Sequence, residues 1–129
     1  MGDPETQSVL SLMDSDLVEL IEAALNEKLS DTNIEWKDEV AINVVLASNG
    51  YPGSFNKGYE ITIDDSITDS VFIAGGKLEN NILKTSGGRV LSVVGCGKTV
   101  EKARKDAYAK VEKVQFNGKY YRKDIGIAK

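Results

Sequence analysis

The sequence predicts an α+β fold in which helices lie beside one antiparallel sheet. Two segments place apolar residues at helical spacing, and short alternating apolar segments bounded by Gly and Asn lie between them. The links between these predicted strands are too short for the crossovers that parallel strands require. A length of 129 residues is typical of one domain.

Three helices are predicted. The first starts at Asp3-Pro4-Glu5, where Asp is a good N-cap, Pro suits the first helical position and Glu favours the first turn. The second covers residues 16–29, because an acidic capping pattern precedes apolar residues at helical spacing. The third starts near Thr99 and is ended by Gly118. Its predicted apolar face consists of Val100, Ala103, Ala107, Val111 and Val114.

Alternation of apolar side chains predicts a long strand over residues 40–47, which stops at strong turn residues. Asn80-Asn81 is a plausible tight turn between two short strands. A glycine pair precedes the strand 89–94, and residues 95–97 are expected to end it. The other predicted strands are 59–63, 71–74, 77–79, 82–84 and 119–123.

Composition excludes several classes of function. Without histidine, and with Cys96 as the sole cysteine, the chain cannot build a Ser-His-Asp site, a Cys-His site, a cysteine-cluster zinc site or an internal disulfide. Apolar residues make up 41% and charged residues 28%, as in soluble globular proteins, and no apolar run approaches ~20 residues. A net charge of −4 disfavours nucleic-acid binding, although most basic residues lie late in the chain and suit a phosphate.

Residues 95–99, Gly-Cys-Gly-Lys-Thr, form a tempting phosphate-loop candidate. The required earlier glycine is replaced by Ser92, and the third glycine of a dinucleotide fingerprint would be Val100. We therefore interpret this segment as a glycine turn with Thr99 as helix cap and Cys96 as a small turn residue.

Four other segments have both a structural and a functional interpretation, and each alone favours the structural one. Asp3-Pro4-Glu5 is either a helix cap or a helix start facing a polar substrate. Residues 50–53 form either a turn or a pocket wall, and residues 87–89 either a bend or an approach for a ligand beside a guanidinium. Residues 120–124 form either an edge strand or a phosphate site.

Together, these segments closely resemble the C-terminal part of phosphoribosylamine–glycine ligases, also called glycinamide ribonucleotide synthetases. The resemblance covers almost the whole chain and rests on five motifs in the same order and spacing. The motifs are Gly2-Asp3-Pro4-Glu5-Thr6-Gln7, residues 45–48 leading to Gly50-Tyr51-Pro52-Gly53, Phe72-Ile73-Ala74-Gly75, Gly87-Gly88-Arg89-Val90-Leu91 and Tyr120-Tyr121-Arg122-Lys123-Asp124-Ile125-Gly126. Departures from the family occur at Ile73, at Gly76 and at residues 127–129.

The resemblance implies that this chain is the final part of a longer ligase. Residues 1–35 would be the helical end of an ATP-grasp module with its connector, and residues 36–129 the C-terminal domain. The implied fold is a small antiparallel barrel-sandwich-like sheet, of the rudiment single hybrid motif type, with flanking helices. ATP and Mg²⁺ would be bound mainly by the missing upstream part, so that this chain alone would be inactive.

The family's enzyme is an ATP-dependent carbon–nitrogen ligase of purine biosynthesis, cytoplasmic and without nucleic-acid or membrane partners. It joins glycine to 5-phosphoribosylamine through glycyl phosphate. The resemblance implies no catalytic residue and no metal ligand in this chain. The implied substrate-binding residues are Asp3, Pro4, Glu5, Tyr51, Pro52, Gly53, Gly88, Arg89, Arg122 and Lys123.

Within that set, Asp3 would hold an amino group, whereas Arg122 and Lys123 would bind the 5-phosphate. The sequence leaves two other functions open. One is a non-catalytic binding or scaffold module from a truncated or decayed gene. The other, ranked last, is a lipoyl- or biotin-carrier-like domain, which needs a lysine at a hairpin tip where this chain has Asn80-Asn81.

Overall fold

The computed structural model describes residues 2–127. Residue 1 of the predicted region 1–35 and residues 128 and 129 of the predicted region 36–129 lie outside it. Within the described range the chain forms three α-helices and eight strands, with 3-10 turns at Leu29–Asp31 and Asp65–Ser70. In chain order the elements are α1 (Glu5–Leu12), α2 (Leu17–Leu25), β1 (Val40–Ser48), β2 (Thr62–Ile63), β3 (Val71–Ile73), β4 (Gly76–Glu79), β5 (Ile82–Thr85), β6 (Arg89–Gly97), α3 (Val100–Val111), β7 (Val114–Gln115) and β8 (Lys119–Tyr120).

The predicted α+β class with antiparallel strands is confirmed. The main sheet has the strand order β3-β6-β1-β8, and two separate ribbons pair β2 with β7 and β4 with β5. Every strand pair described is antiparallel. The barrel-sandwich form of this sheet stays a prediction. No helix within residues 2–127 is long and apolar enough to cross a bilayer.

One face of the main sheet packs against α3 and forms the core. In β1 the even-numbered residues Val44 and Leu46 pair with Val93 and Leu91 of β6, and all four side chains are buried. Because side chains alternate along a strand, the odd-numbered residues of β1 project from the opposite face. The larger core cluster also includes Ile61, Ile67, Val90, Ala107, Val111, Val114 and Phe116.

Glycines set the distance between α3 and the sheet. A Cβ atom on Gly95 would lie 2.1 Å from the backbone N of Ala107, and one on Gly97 would lie 2.8 Å from the backbone N of Ala103. The helix therefore rests almost directly on the β6 backbone. The prediction that residues 95–97 end the strand is wrong, because these glycines make room for a helix while the strand continues through Gly97.

Helix boundaries are only partly as predicted. Asp16 caps α2 by accepting hydrogen bonds from the amides of Val18 and Glu19, but the helix ends at Leu25 because Glu27 adopts a φ of 57°. The expected end at residue 29 is therefore wrong. Thr99 caps α3 through the amide of Lys102, as predicted.

The predicted α3 face is correct only in its middle. Ala103, Ala107 and Val111 are fully buried, whereas Val100 is 47% exposed. The helix ends at Val111, well before Gly118, and Val114 lies in β7.

The predicted strands differ from the observed ones mainly in length. β1 extends to Ser48, whereas β2 and β8 each keep only two residues. The hairpin of β4 and β5 is confirmed, and Asn80 and Asn81 both have positive φ, at 51° and 64°. Asn tolerates this left-handed region better than most residues, which explains the tight turn.

Candidate functional site

A cavity of about 340 Å³ lies beside β1, between the start of α1 and residues 120–125. Its floor is β1, which contributes Asn43, Val44, Val45 and Ala47. The Asn43 side-chain amide donates a 2.9 Å hydrogen bond to the Pro4 carbonyl and so ties α1 to the floor. The full lining is Pro4, Asn43, Val44, Val45, Ala47, Tyr51, Arg89, Tyr120, Tyr121, Arg122 and Ile125.

Four of the predicted substrate-binding residues line this cavity, although they are far apart in sequence: Pro4, Tyr51, Arg89 and Arg122. Asp3 lies at its edge, because its carboxylate contacts Arg89. The remaining predicted residues are outside the lining of this cavity: Glu5, Pro52, Gly53, Gly88 and Lys123.

Asp3 pairs with Arg89 instead of capping a helix. The Asp3 Oδ2 atom lies 2.7 Å from Arg89 Nη2, and the Arg89 Nη1 atom also reaches the Asp3 carbonyl at 3.5 Å. Among residues 2–127 no side chain caps α1, so the predicted capping role of Asp3 is wrong. The pair is largely exposed and contributes no more than ~1 kcal/mol, but it joins the start of the chain to β6 at the cavity edge.

Arg122 carries its own carboxylate partner. Its Nε and Nη2 atoms donate to the two Asp124 oxygens at 2.9 and 2.6 Å. This forked contact raises the pKa of Arg122 and lowers the pKa of Asp124. An anion in the cavity would therefore meet a guanidinium that is already paired.

The glycine pair at residues 87 and 88 packs against other parts of the protein. A Cβ atom on Gly88 would lie 2.1 Å from Cδ2 of Tyr51, and one on Gly87 would lie 3.0 Å from the Cα of Gly75. The Tyr51 ring also meets the Phe55 ring edge-on, with centroids 6.2 Å apart. Gly88 thus allows the ring of Tyr51 to reach the cavity.

Sequence reasoning missed several residues of the lining. Asn43 is the one polar residue in the predicted strand 40–47, and that irregularity was the available signal. Tyr121 belongs to the motif of residues 120–126 but is not among the predicted substrate-binding residues. Its hydroxyl donates a 2.6 Å hydrogen bond to Glu112, which raises the pKa of Tyr121 to about 12.

Cys96 lies within β6, half-buried, and the prediction that it is a turn residue is wrong. Burial raises the pKa of its thiol, so it is mostly protonated at neutral pH. Among residues 2–127 no group of three or more Cys, Asp or Glu side chains is arranged to hold a metal ion.

The fold and the cavity define an α+β domain with a ligand-sized hollow beside the strand β1. Residues 41–128 match the family model described as phosphoribosylglycinamide synthetase, C domain. Since this match covers most of the chain, the chain belongs to that family.

Curated relatives carry the name phosphoribosylamine–glycine ligase. The protein from Clostridium acetobutylicum is 56% identical over 129 residues, which is 100% of this chain and 31% of the relative. The protein from Caldanaerobacter subterraneus subsp. tengcongensis is 45% identical and is matched over 30% of its length. The chain therefore spans about a third of the relatives it matches.

A solved structure agrees with this result. The crystal structure of the phosphoribosylamine–glycine ligase from Thermotoga maritima superimposes with a TM-score of 0.77 at 39% identity. The superposition covers 96% of this chain and 31% of that chain. The resemblance inferred from sequence is thereby confirmed at the level of family and fold.

Proposed function

We propose that this chain is the substrate-side part of a phosphoribosylamine–glycine ligase, which joins glycine to 5-phosphoribosylamine with ATP through glycyl phosphate in purine biosynthesis. The observation that carries the proposal is the convergence of Pro4, Tyr51, Arg89 and Arg122 on one cavity. These residues come from four separate motifs of the family resemblance. Their convergence is expected of a binding site, since scattered motifs meet in space where they share a ligand.

The chemistry assigned to these residues is positioning and charge neutralisation. Arg89 and Arg122 present guanidinium groups, which suit phosphate or carboxylate oxygens. The Asp3 carboxylate beside Arg89 suits an ammonium group. Lys123 adds an exposed positive charge next to Arg122. Aligning an amine with an acyl phosphate requires such placement more than an acid–base residue.

In the proposed enzyme, the upstream part binds ATP and Mg²⁺, supplies the activation step and is the partner of this chain. Residues 1–35 belong to the end of that part, and residues 36–129 form the C-terminal domain. The start of the family match at residue 41 supports a boundary near this position. We place the assembled enzyme in the cytoplasm, as the purine-biosynthetic role requires.

The exposed apolar residues of α2 support the proposal that an upstream part of the ligase contacts this chain. Val18, Ile21 and Leu25 lie at helical spacing and are 64%, 51% and 79% exposed, whereas Leu20 is the one buried residue of the helix. Such an apolar stripe on a short helix is typical of a surface that another part of the protein covers. We assign it to the upstream part of the ligase.

The test uses this chain alone and a hybrid ligase, in which it replaces the matching segment of the Clostridium acetobutylicum enzyme. The hybrid is expected to release ADP when given glycine, 5-phosphoribosylamine and ATP, and the chain alone is expected to release none. ADP release by the chain alone would contradict the assignment of nucleotide binding to the upstream part.

In the hybrid, Arg122→Ala is expected to raise the KM for 5-phosphoribosylamine about tenfold or more, because a charge-assisted hydrogen bond contributes roughly 1.5–3 kcal/mol. Steady-state kinetics with each substrate varied in turn measures the effect. Lys98→Ala removes the same charge from a side chain 61% exposed, outside the cavity lining, and should leave this KM unchanged. A change in the KM for ATP alone would overturn the phosphate assignment.

A further inference from the structure

Residues 121–126 form one wall of the cavity without belonging to a strand. Tyr121, Arg122 and Ile125 line the cavity, yet β8, which precedes them, ends at Tyr120. Backbone polar groups need partners wherever they leave water, and a wall that aligns a ligand must also keep its position. What holds this segment therefore determines the shape of the cavity.

Two side chains of α3 supply those partners. Arg104 donates from Nε to the Ile125 carbonyl at 3.1 Å and from Nη2 to the Lys123 carbonyl at 2.7 Å. A guanidinium has several donors in one rigid plane, which allows a single side chain to bind both carbonyls.

Tyr108 holds the same segment from the next turn of the helix. Its hydroxyl donates a 2.6 Å hydrogen bond to the Arg122 carbonyl and accepts a 3.3 Å hydrogen bond from the Ile125 amide. The Arg104 guanidinium lies 4.7 Å from the centre of the Tyr108 ring, so each side chain also orients the other. Residues four apart on a helix share a face, which explains why the two act together.

Gly126 completes the contact. It has a φ of 74°, and a Cβ atom there would lie 2.9 Å from Cδ1 of Ile42 and 3.6 Å from Cδ of Arg104. A larger residue would be strained in this conformation and would meet the floor strand. The segment is thus pressed between β1 and α3.

We propose that Arg104 and Tyr108 are positioning residues that hold residues 122–125 in place and so place the Arg122 guanidinium at the cavity. The expected effect of these two residues on catalysis rests on the proposed function. Their hydrogen bonds to residues 122–125 do not depend on it, because no substrate takes part in them. Neither side chain lines the cavity, so both act through the segment that they hold.

The first experiment measures amide hydrogen exchange by NMR on the 129-residue chain. Arg104→Ala and Tyr108→Phe are each expected to accelerate exchange at Ile125 at least tenfold, while the buried amides of Val44 and Val93 remain protected. Lys105→Ala removes a charge from the same helix and is the matched control. Unchanged exchange at Ile125 in both variants would overturn the inference, whatever the chain's activity.

The second experiment uses the hybrid ligase. Arg104→Ala is expected to raise the KM for 5-phosphoribosylamine at least fivefold and to leave the KM for ATP unchanged. Arg104→Lys should not restore it, because an ammonium group cannot bind both carbonyls in the same fork. Combined with Arg122→Ala, the Arg104 change should add less than twofold, since it acts through Arg122.

These experiments distinguish a failure of the proposed function of Arg122 from a failure of the positioning role of Arg104 and Tyr108. If Arg122→Ala leaves the KM for 5-phosphoribosylamine unchanged, the proposed function of Arg122 is wrong, and hydrogen exchange still decides whether Arg104 and Tyr108 hold the wall. If Arg122→Ala raises that KM and Arg104→Ala does not, or if their effects multiply independently, the positioning role is overturned.

Discussion

Both arginines at the cavity are paired with carboxylates. Arg89 contacts Asp3 at 2.7 Å and Arg122 contacts Asp124 at 2.6 Å, and in each pair both side chains are at least two-fifths exposed. Exposed pairs of this kind are weak, so an incoming phosphate can compete with the aspartates.

Tyr121 provides a prediction at the residue scale. Its hydrogen bond to Glu112 raises the pKa of Tyr121 from 10.0 to about 12, so the folded state holds the phenolic proton more tightly than the unfolded state does. The resulting stabilisation is present below pH 10 and is lost as the pH rises toward 12. Tyr121→Phe should lower the free energy of unfolding by about 1 kcal/mol at pH 7.

Urea unfolding at pH 7, 10 and 11.5 tests this expectation. The wild-type chain should lose more stability over the alkaline interval than Tyr121→Phe does. Tyr120→Phe is the control, because it removes the same hydroxyl group from a neighbouring tyrosine that is 54% exposed. Parallel alkaline losses in all three proteins would contradict the role given to the Glu112 contact.

The partner of Asp3 shows the limit of prediction for single residues. The local sequence favoured a helix cap, because Asp, Pro and Glu in that order satisfy helix-start preferences. The actual partner, Arg89, is 86 residues away. Local preferences contain no information about such a contact, and only the family resemblance joined the two residues in one site.

At the scale of elements, the contact between α3 and β6 has the least tolerance for change. Gly95→Ala would place a methyl group 2.1 Å from the Ala107 amide nitrogen, so that the helix would have to move away from the sheet. We expect a loss of about 1–3 kcal/mol in the free energy of unfolding, typical of overpacking. The midpoint of urea unfolding at constant m-value measures it.

Gly53→Ala is the control for this prediction. A Cβ atom there would have one neighbour within 4 Å, the Gly50 carbonyl oxygen at 3.1 Å, and the residue lies in an exposed turn. Its cost should therefore be smaller. An equal loss in the two variants would show that general glycine replacement, and not the helix contact, sets the stability.

Elements with local signals were predicted well. The β4–β5 hairpin carries its own turn residues, and α2 and α3 carry their own N-caps. The predicted strand 119–123 failed after Tyr120 because residues 122–125 find their hydrogen-bond partners on the side chains of α3. Strand propensity alone could not reveal that competition.

At the scale of the whole molecule, the helix α2 leaves an apolar face exposed. The curated relatives are about three times as long as this chain. Sequence patterns alone gave the fold class, but the cavity required the tertiary contacts that bring Pro4 and Arg122 together.

The α2 surface gives a prediction at this scale. Replacing Val18, Ile21 and Leu25 together by Ser should weaken binding to the separately expressed upstream part of the Clostridium acetobutylicum ligase by well over tenfold, because each buried aliphatic side chain contributes roughly 1.5–3 kcal/mol. Isothermal titration calorimetry measures the affinity. Leu78→Ser, at a position 67% exposed on β4, is the control. Equal affinity of the triple variant and the wild-type chain would exclude α2 as the docking surface.

The glycines of β6 beneath α3 also determine how precisely the cavity wall is positioned. Since the helix is seated on main-chain atoms, its height above the sheet does not depend on rotamer choice. The two side chains that hold residues 122–125 are mounted on that same helix. The position of the cavity wall therefore follows the backbone of α3 and β6. Thermal motion of the surrounding side chains has little effect on it.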